Sequence, residues 1–218
     1  MRAYNGMTLL VVSDQRTEEA FSDIFQNVRA LKDGQYNFDD HTVLLFEGGV
    51  DVNPQLYNEK RGAHTQAPNL ARDAKEMLIF KKAQEAGAAC IGVCRGSQFL
   101  TVMAGGKLIQ HVTDHGSNHL VDTFDGEKLG VTSTHHQMCW PEQVDHTLIA
   151  WSTDRSRGYL DGYGVNKYKV EKEPEIIWYP KTRSLAIQGH PEYLTYYDRF
   201  PAYCRRMVRK FIFEEKDN

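Results

Sequence analysis

The sequence is poor in the features that mark several protein classes. Four cysteines in 218 residues, at positions 90, 94, 139 and 204, are too few and too scattered for a disulfide scaffold. They read as reduced thiols in a cytosolic protein. There is no basic excess: the formal net charge is −3, and the Lys and Arg residues are spread along the chain, which argues against a nucleic-acid footprint. Long apolar runs are missing as well. The run Met7 to Val12 is stopped at once by Ser13-Asp14, so neither a signal peptide nor a membrane span is expected. What remains is an ordinary globular balance, 41% hydrophobic and 25% charged, over a length that suits one α/β domain spanning residues 1–218.

Met7 to Val12, Thr42 to Phe46 and Ala88 to Val93 read as buried strands. Ala20, Phe21, Ile24, Phe25, Val28 and Leu31 lie at helical spacing, and Asp33-Gly34 would end that helix. Leu70 to Ala86 and Gly96 to Ala104 are predicted helices, and Phe200 to Ile212 a final amphipathic one. Between Gly105 and Trp151, short alternating stretches predict antiparallel strands at Lys107 to Val112, His119 to Phe124, Lys128 to Thr134 and His146 to Trp151. Glu175 to Tyr179 and Ser184 to Gln188 read as a closing hairpin, and Thr153 to Lys172 as a surface loop. Early strand–helix alternation implies a parallel sheet with helices on both faces, whose ligands bind beyond the carboxyl ends of the strands.

Gly92-Val93-Cys94-Arg95-Gly96 has the form Gly-x-nucleophile-x-Gly between a strand and a helix. In that setting the nucleophile occupies a strained turn, small neighbours let the backbone crowd together, and the helix N-terminus favours negative charge. A buried structural cysteine is the alternative, since free Cys is among the most buried residue types. A thiol nucleophile needs a base, and the base an orienter. His190-Pro191-Glu192, just past a predicted strand, can supply both; a solvated turn is the other reading.

Together, Gly92-Val93-Cys94-Arg95-Gly96-Ser97-Gln98 and Gln188-Gly189-His190-Pro191-Glu192 resemble the two signatures of class I glutamine amidotransferases. The resemblance is to the γ-glutamyl hydrolase, peptidase C26-like branch that includes γ-glutamyl-γ-aminobutyrate hydrolases. Gly48-Gly49-Val50-Asp51-Val52-Asn53-Pro54 with Tyr57, Arg72-Asp73, Gly105-Gly106 and Ser133-Thr134-His135-His136-Gln137 add to it, in order, over Thr42 to Glu192. It implies a flavodoxin-like α/β fold, a mostly parallel central sheet flanked by helices with a small antiparallel elaboration. By the same resemblance Cys94 is the nucleophile, His190 the general base and Glu192 its orienter. The N–H groups of Gly49 and Arg95 form the oxyanion hole, Gln98 holds the α-amino and carboxylate end of the glutamyl group, and Thr134, His135 and His136 line the pocket, largely through backbone.

Two departures stand out. The region before Thr42 is short for two strand–helix units, which predicts a sheet trimmed at one edge, and Asp154 to Tyr168 does not align. The implied chemistry is hydrolysis of a γ-glutamyl amide through a thioester, on a small-molecule substrate and without a cofactor. A glutaminase subunit feeding ammonia to a synthetase partner chain, a homodimer, and an inactive binding module stay open. His111, His115 and His119 recur every fourth residue, but Gly116-Ser117-Asn118 argues against a helix there. Loop and strand histidines are the default reading and no metal is expected.

Overall fold

The computed structural model describes residues 6–13, 16–152, 156–195 and 198–214. A nine-stranded sheet runs through it in the order β2-β1-β3-β4-β13-β12-β10-β7-β8. The strands are β1 (Thr8–Val11), β2 (Asn27–Ala30), β3 (Thr42–Phe46), β4 (Ala89–Val93), β7 (His119–Thr123), β8 (Lys128–Val131), β10 (Thr147–Ser152), β12 (Glu173–Tyr179) and β13 (Ser184–Ile187). The first five in spatial order are parallel and the rest antiparallel. Two short antiparallel pairs flank the sheet: β5 (Lys107–Ile109) with β9 (Met138–Trp140), and β6 (His111–Val112) with β11 (Tyr159–Leu160).

Alternation along the parallel strands splits the core into two. Leu9, Val43, Leu45, Ile91, Leu185 and Ile187 face helix α3 (Arg199–Val208) and its π-helical extension to Phe213. Leu10, Leu44, Phe46 and Cys90 face α1 (Leu70–Glu85) and α2 (Arg95–Met103). A period of two on a sheet buried on both faces gives this division directly.

The helix predicted over 20–31 does not form. Thr17–Ala20 and Ser22–Ile24 are 3₁₀ turns, and Asn27–Ala30 is the edge strand β2. Phe21, Ile24 and Phe25 are buried as expected, but on turns of three-residue spacing, which marks some of the same positions as a helical stripe. Phe25 meets Phe213 edge-on at 5.3 Å. Pairing β2 along the open side of β1 satisfies backbone groups that a helix would have left to solvent. The two strands before Thr42 are thus both present, and what is trimmed is the helical crossover between them. The strand predicted over 107–112 is broken at Gln110, whose amide bonds Gly62, Thr65, Glu59 and Lys60. Of the loop expected over 153–172, residues 153–155 lie outside the described residues, and β11 pairs its middle to β6.

Candidate active site

Three adjacent parallel strands end at one place. The register sets Phe46 of β3 beside Gly92 of β4, and Ile187 of β13 beside Val93. The residues that follow each strand, Glu47-Gly48-Gly49, Cys94 and Gln188-Gly189-His190, therefore emerge at the same edge, where ligands of such sheets bind.

Cys94 stands between β4 and α2 with φ 52° and ψ −112°, a backbone conformation that L-residues rarely adopt. Its amide donates to the Ile187 carbonyl at 2.9 Å, and its own carbonyl accepts from Ser97 N at 3.0 Å and Ser97 Oγ at 2.7 Å. The turn closes only because its flanking residues lack side chains. A Cβ on Gly92 would lie 2.4 Å from the Gly96 carbonyl oxygen, and one on Gly96 would lie 2.0 Å from that of Phe46. Cys94 is half-buried, whereas Cys90, Cys139 and Cys204 are buried. Burial pushes the Cys90 thiol up to about 12 and that of Cys139 to about 11, and raises that of Cys204 further.

His190 Nδ1 donates to Glu192 Oε1 at 2.7 Å, and its Nε2 lies 3.1 Å from Thr134 Oγ1. Its backbone is held by Thr132, whose hydroxyl donates to the His190 carbonyl at 2.6 Å. Tyr193 stacks on the imidazole with centroids 4.3 Å apart and planes within 2°. Burial disfavours the imidazolium, but the neighbouring Cys94 and Glu192 outweigh it and push His190 up to about 10. The sign follows. An ordinary His titrates near 6.5, so the bound proton stabilises the fold fully below about pH 6.5, and this contribution is lost as pH rises through about 10. Glu192→Gln removes one of the two partners. The His190 midpoint should fall in an NMR titration, and the difference in Tm between wild type and variant should be largest near pH 6 and fade above about pH 10. An unmoved midpoint would contradict the pairing.

Gly49, at φ +143°, follows a carbonyl that is clamped. Arg72 Nη1 donates to the Gly48 carbonyl at 2.8 Å, and Nη2 to that of Glu47 at 2.9 Å. In a trans peptide the C=O and the following N–H point opposite ways, so this clamp aims the Gly49 N–H away from Arg72. Arg72 Nε also binds Glu76 at 2.7 Å. Arg95, the first residue of α2, is buried, and its guanidinium donates to Glu76 and Asp73. Asp73 in turn accepts from Asn53 N at 3.1 Å. One face of α1 thereby holds both the 47–53 loop and the start of the elbow helix.

The remaining residues that the resemblance assigned to the pocket take different positions. Gln98 is buried, with its amide directed at the Gln137 carbonyl at 3.4 Å and Gln188 Oε1 at 3.3 Å. Thr134 is exposed beside His190, His136 pairs with Asp51 at 3.2 Å, and His135 turns inward towards Glu175. The Asp51 pair ties the Gly-Gly-x-Asp-Val loop to the 133–137 segment and raises His136 above its ordinary value. Sequence reasoning missed Tyr193 and the buried network of Arg72, Asp73, Glu76 and Arg95. The network was detectable: Asp73 and Glu76 are three apart on α1 and share the stripe of Phe80 and Ala83.

Comparison with known proteins bears on the family and the fold. The family model for Peptidase C26 matches residues 33–124. The glutamine amidotransferase-like protein YvdE homolog of Lactococcus lactis subsp. cremoris is 35% identical over 165 residues, 70% of this chain and 79% of the relative. The YvdE protein of L. lactis subsp. lactis is 28% identical over 192 residues, covering 74% and 81%. Among solved structures, PurLQS from Thermotoga maritima superposes with a TM-score of 0.62 at 15% identity, covering 96% of this chain and 99% of that one. The fold is that of the class I glutamine amidotransferases. The chain belongs to the glutamine amidotransferase-like, peptidase C26 family of hydrolases.

Proposed function

We propose that this protein is a freestanding cysteine hydrolase that cleaves the γ-glutamyl amide bond of a γ-glutamyl amine or peptide. The observation that carries the proposal is the left-handed Cys94 on the β4–α2 turn, beside a His190 already bonded to Glu192. In this reading Cys94 Sγ attacks the side-chain amide carbonyl after its proton has passed to His190. The oxyanion accepts hydrogen bonds from the N–H groups of Gly49 and Arg95, each worth about 3 kcal/mol in the transition state. His190, held protonated, donates to the departing amine and leaves a γ-glutamyl thioester. Neutral His190 then takes a proton from water, which attacks the thioester and releases glutamate and the free thiol. Glu192 positions the ring and stabilises its charged form throughout. Gln98 and the 134–136 backbone contribute the glutamyl subsite.

The expected distinction is in the leaving group. A subunit that passes ammonia onward gains nothing from turnover without its partner, whereas a freestanding hydrolase works alone on a bulky amine. The isolated protein should therefore cleave γ-glutamyl-γ-aminobutyrate, γ-glutamyl-putrescine or a γ-glutamyl peptide with kcat/KM about tenfold or more above that for glutamine. Steady-state release of glutamate, measured side by side, checks this. Cleavage of glutamine alone, or of nothing until a synthetase is added, would leave the amidotransferase-subunit reading standing.

A further inference from the structure

Three histidines, two of them deeply buried, converge on one carboxylate that the acyl chemistry does not use. His115 precedes β7, His119 begins it, and His135 lies in the segment after β8. All three approach Oε1 of Glu175 on β12: His119 Nε2 at 3.1 Å, His135 Nε2 at 3.5 Å and His115 Nδ1 at 3.7 Å. His115 and Glu175 are each 2% exposed and His135 is 5% exposed.

The other nitrogen of each ring is already engaged. His115 Nε2 donates to Glu173 at 2.7 Å, His119 Nδ1 to the Ser117 carbonyl at 3.2 Å, and His135 Nδ1 to the Gln137 carbonyl at 2.8 Å. Carbonyls and carboxylates only accept, so each outer nitrogen carries the ring proton. In neutral rings the inner nitrogens are bare lone pairs, and three of them face an anionic oxygen. Such a meeting of buried acceptors is costly unless positive charge lies among them. Among the described residues, His115 Nδ1, His135 Nε2 and Glu175 Oε2 make no hydrogen bond.

A proton on His119 would satisfy its own 3.1 Å contact with Glu175 Oε1 but leave His115 Nδ1 and His135 Nε2 unpaired. One divalent cation serves instead, and the spacing suits it. A tetrahedral ion with bonds of about 2.0–2.1 Å has ligand–ligand edges of roughly 3.3–3.4 Å, the middle of the observed separations. His115, His119 and Glu175 offer atoms that all lie within 4.8 Å of one another. An outer acceptor on each imidazole is the arrangement that orients metal-ligating histidines. Imidazole with carboxylate favours zinc over magnesium or calcium. Of the three histidines that recur every fourth residue, His115 and His119 reach this carboxylate, whereas His111 stacks on His64 at 4.1 Å.

We propose that this protein binds one zinc ion between His115 Nδ1, His119 Nε2 and Glu175, with His135 Nε2, which lies outside that three-residue set but 3.5 Å from Glu175 Oε1, moving in to take the fourth position. Four protein ligands leave no open position, so the ion is structural. It joins the 113–118 loop, the 132–137 segment and β12 behind the candidate active site. Thr134, next to His135, touches His190, and Gln188 N donates to the Glu175 carbonyl at 2.8 Å.

The test uses the full chain carrying Cys94→Ser, so that the half-buried thiol cannot hold zinc. Chelator-stripped protein is titrated with Zn²⁺ alone by calorimetry, with Tm and metal content measured in parallel. We expect one zinc per chain, a Kd of about 1 μM or tighter, and a rise in Tm. His119→Ala should weaken binding by about a hundredfold or more, while His111→Ala leaves it unchanged. Because His119→Ala can also loosen the fold, Co²⁺ loaded into the His119-containing protein gives a second readout, the visible absorption of a four-coordinate nitrogen and oxygen site. Binding much weaker than micromolar, an unchanged Tm, undiminished binding in His119→Ala, or a six-coordinate cobalt spectrum would each overturn the proposal.

Discussion

Cys94→Ser is expected to lower turnover of any γ-glutamyl substrate by about 10⁴-fold or more while leaving the fold intact. The backbone at Cys94 is fixed by main-chain bonds to Ile187 and Ser97 and by the close approach of Gly92 and Gly96, none of which involves its sulfur. Serine takes the same place without strain beyond that already present. The hydroxyl is a far weaker nucleophile than the thiolate. Glutamate release should fall to background while Tm stays within a few degrees, roughly the shift of a small stability change in a chain of this size. A Cys94→Ser variant that retains appreciable turnover would remove Cys94 from the mechanism.

Arg95→Ala should destabilise the protein by about 3–5 kcal/mol, the cost of breaking a buried ion pair from one side. The Arg95 guanidinium is the shared partner of Asp73 and Glu76, both buried. Among the described residues, its removal leaves Asp73 with the Asn53 N–H and Glu76 with Arg72 as the partners of their side chains. Urea unfolding measures the loss, and a change below about 1 kcal/mol would show that the network carries no net weight. The folded fraction should also lose turnover, because the same network anchors the loop of Gly49 and the start of α2, which supply both oxyanion donors in the proposed mechanism.

The parts of the fold that were legible in the sequence are those where one local rule dominates. The continuous apolar runs became β3 and β4, and the predicted closing hairpin became β12 and β13. The elbow was legible because only glycine fits beside Phe46 and within the turn. The segment 20–31 was misread because Phe21, Ile24 and Phe25 meet a core that accepts either 3₁₀ or α spacing, and the open edge of β1 decided the outcome for 27–30. The inward turn of His135 was equally hidden. Glu175 reads as one residue of a buried strand, and nothing local shows that three distant histidines will gather on it.

The most direct measurement is peptide mapping by mass spectrometry after treatment with an electrophilic glutamine analogue. One label per chain is expected, on Cys94, with Cys90, Cys139 and Cys204 unmodified because burial holds their thiols protonated. Stoichiometric labelling of any of those three, or a chain that stays unlabelled while it hydrolyses substrate, would contradict it.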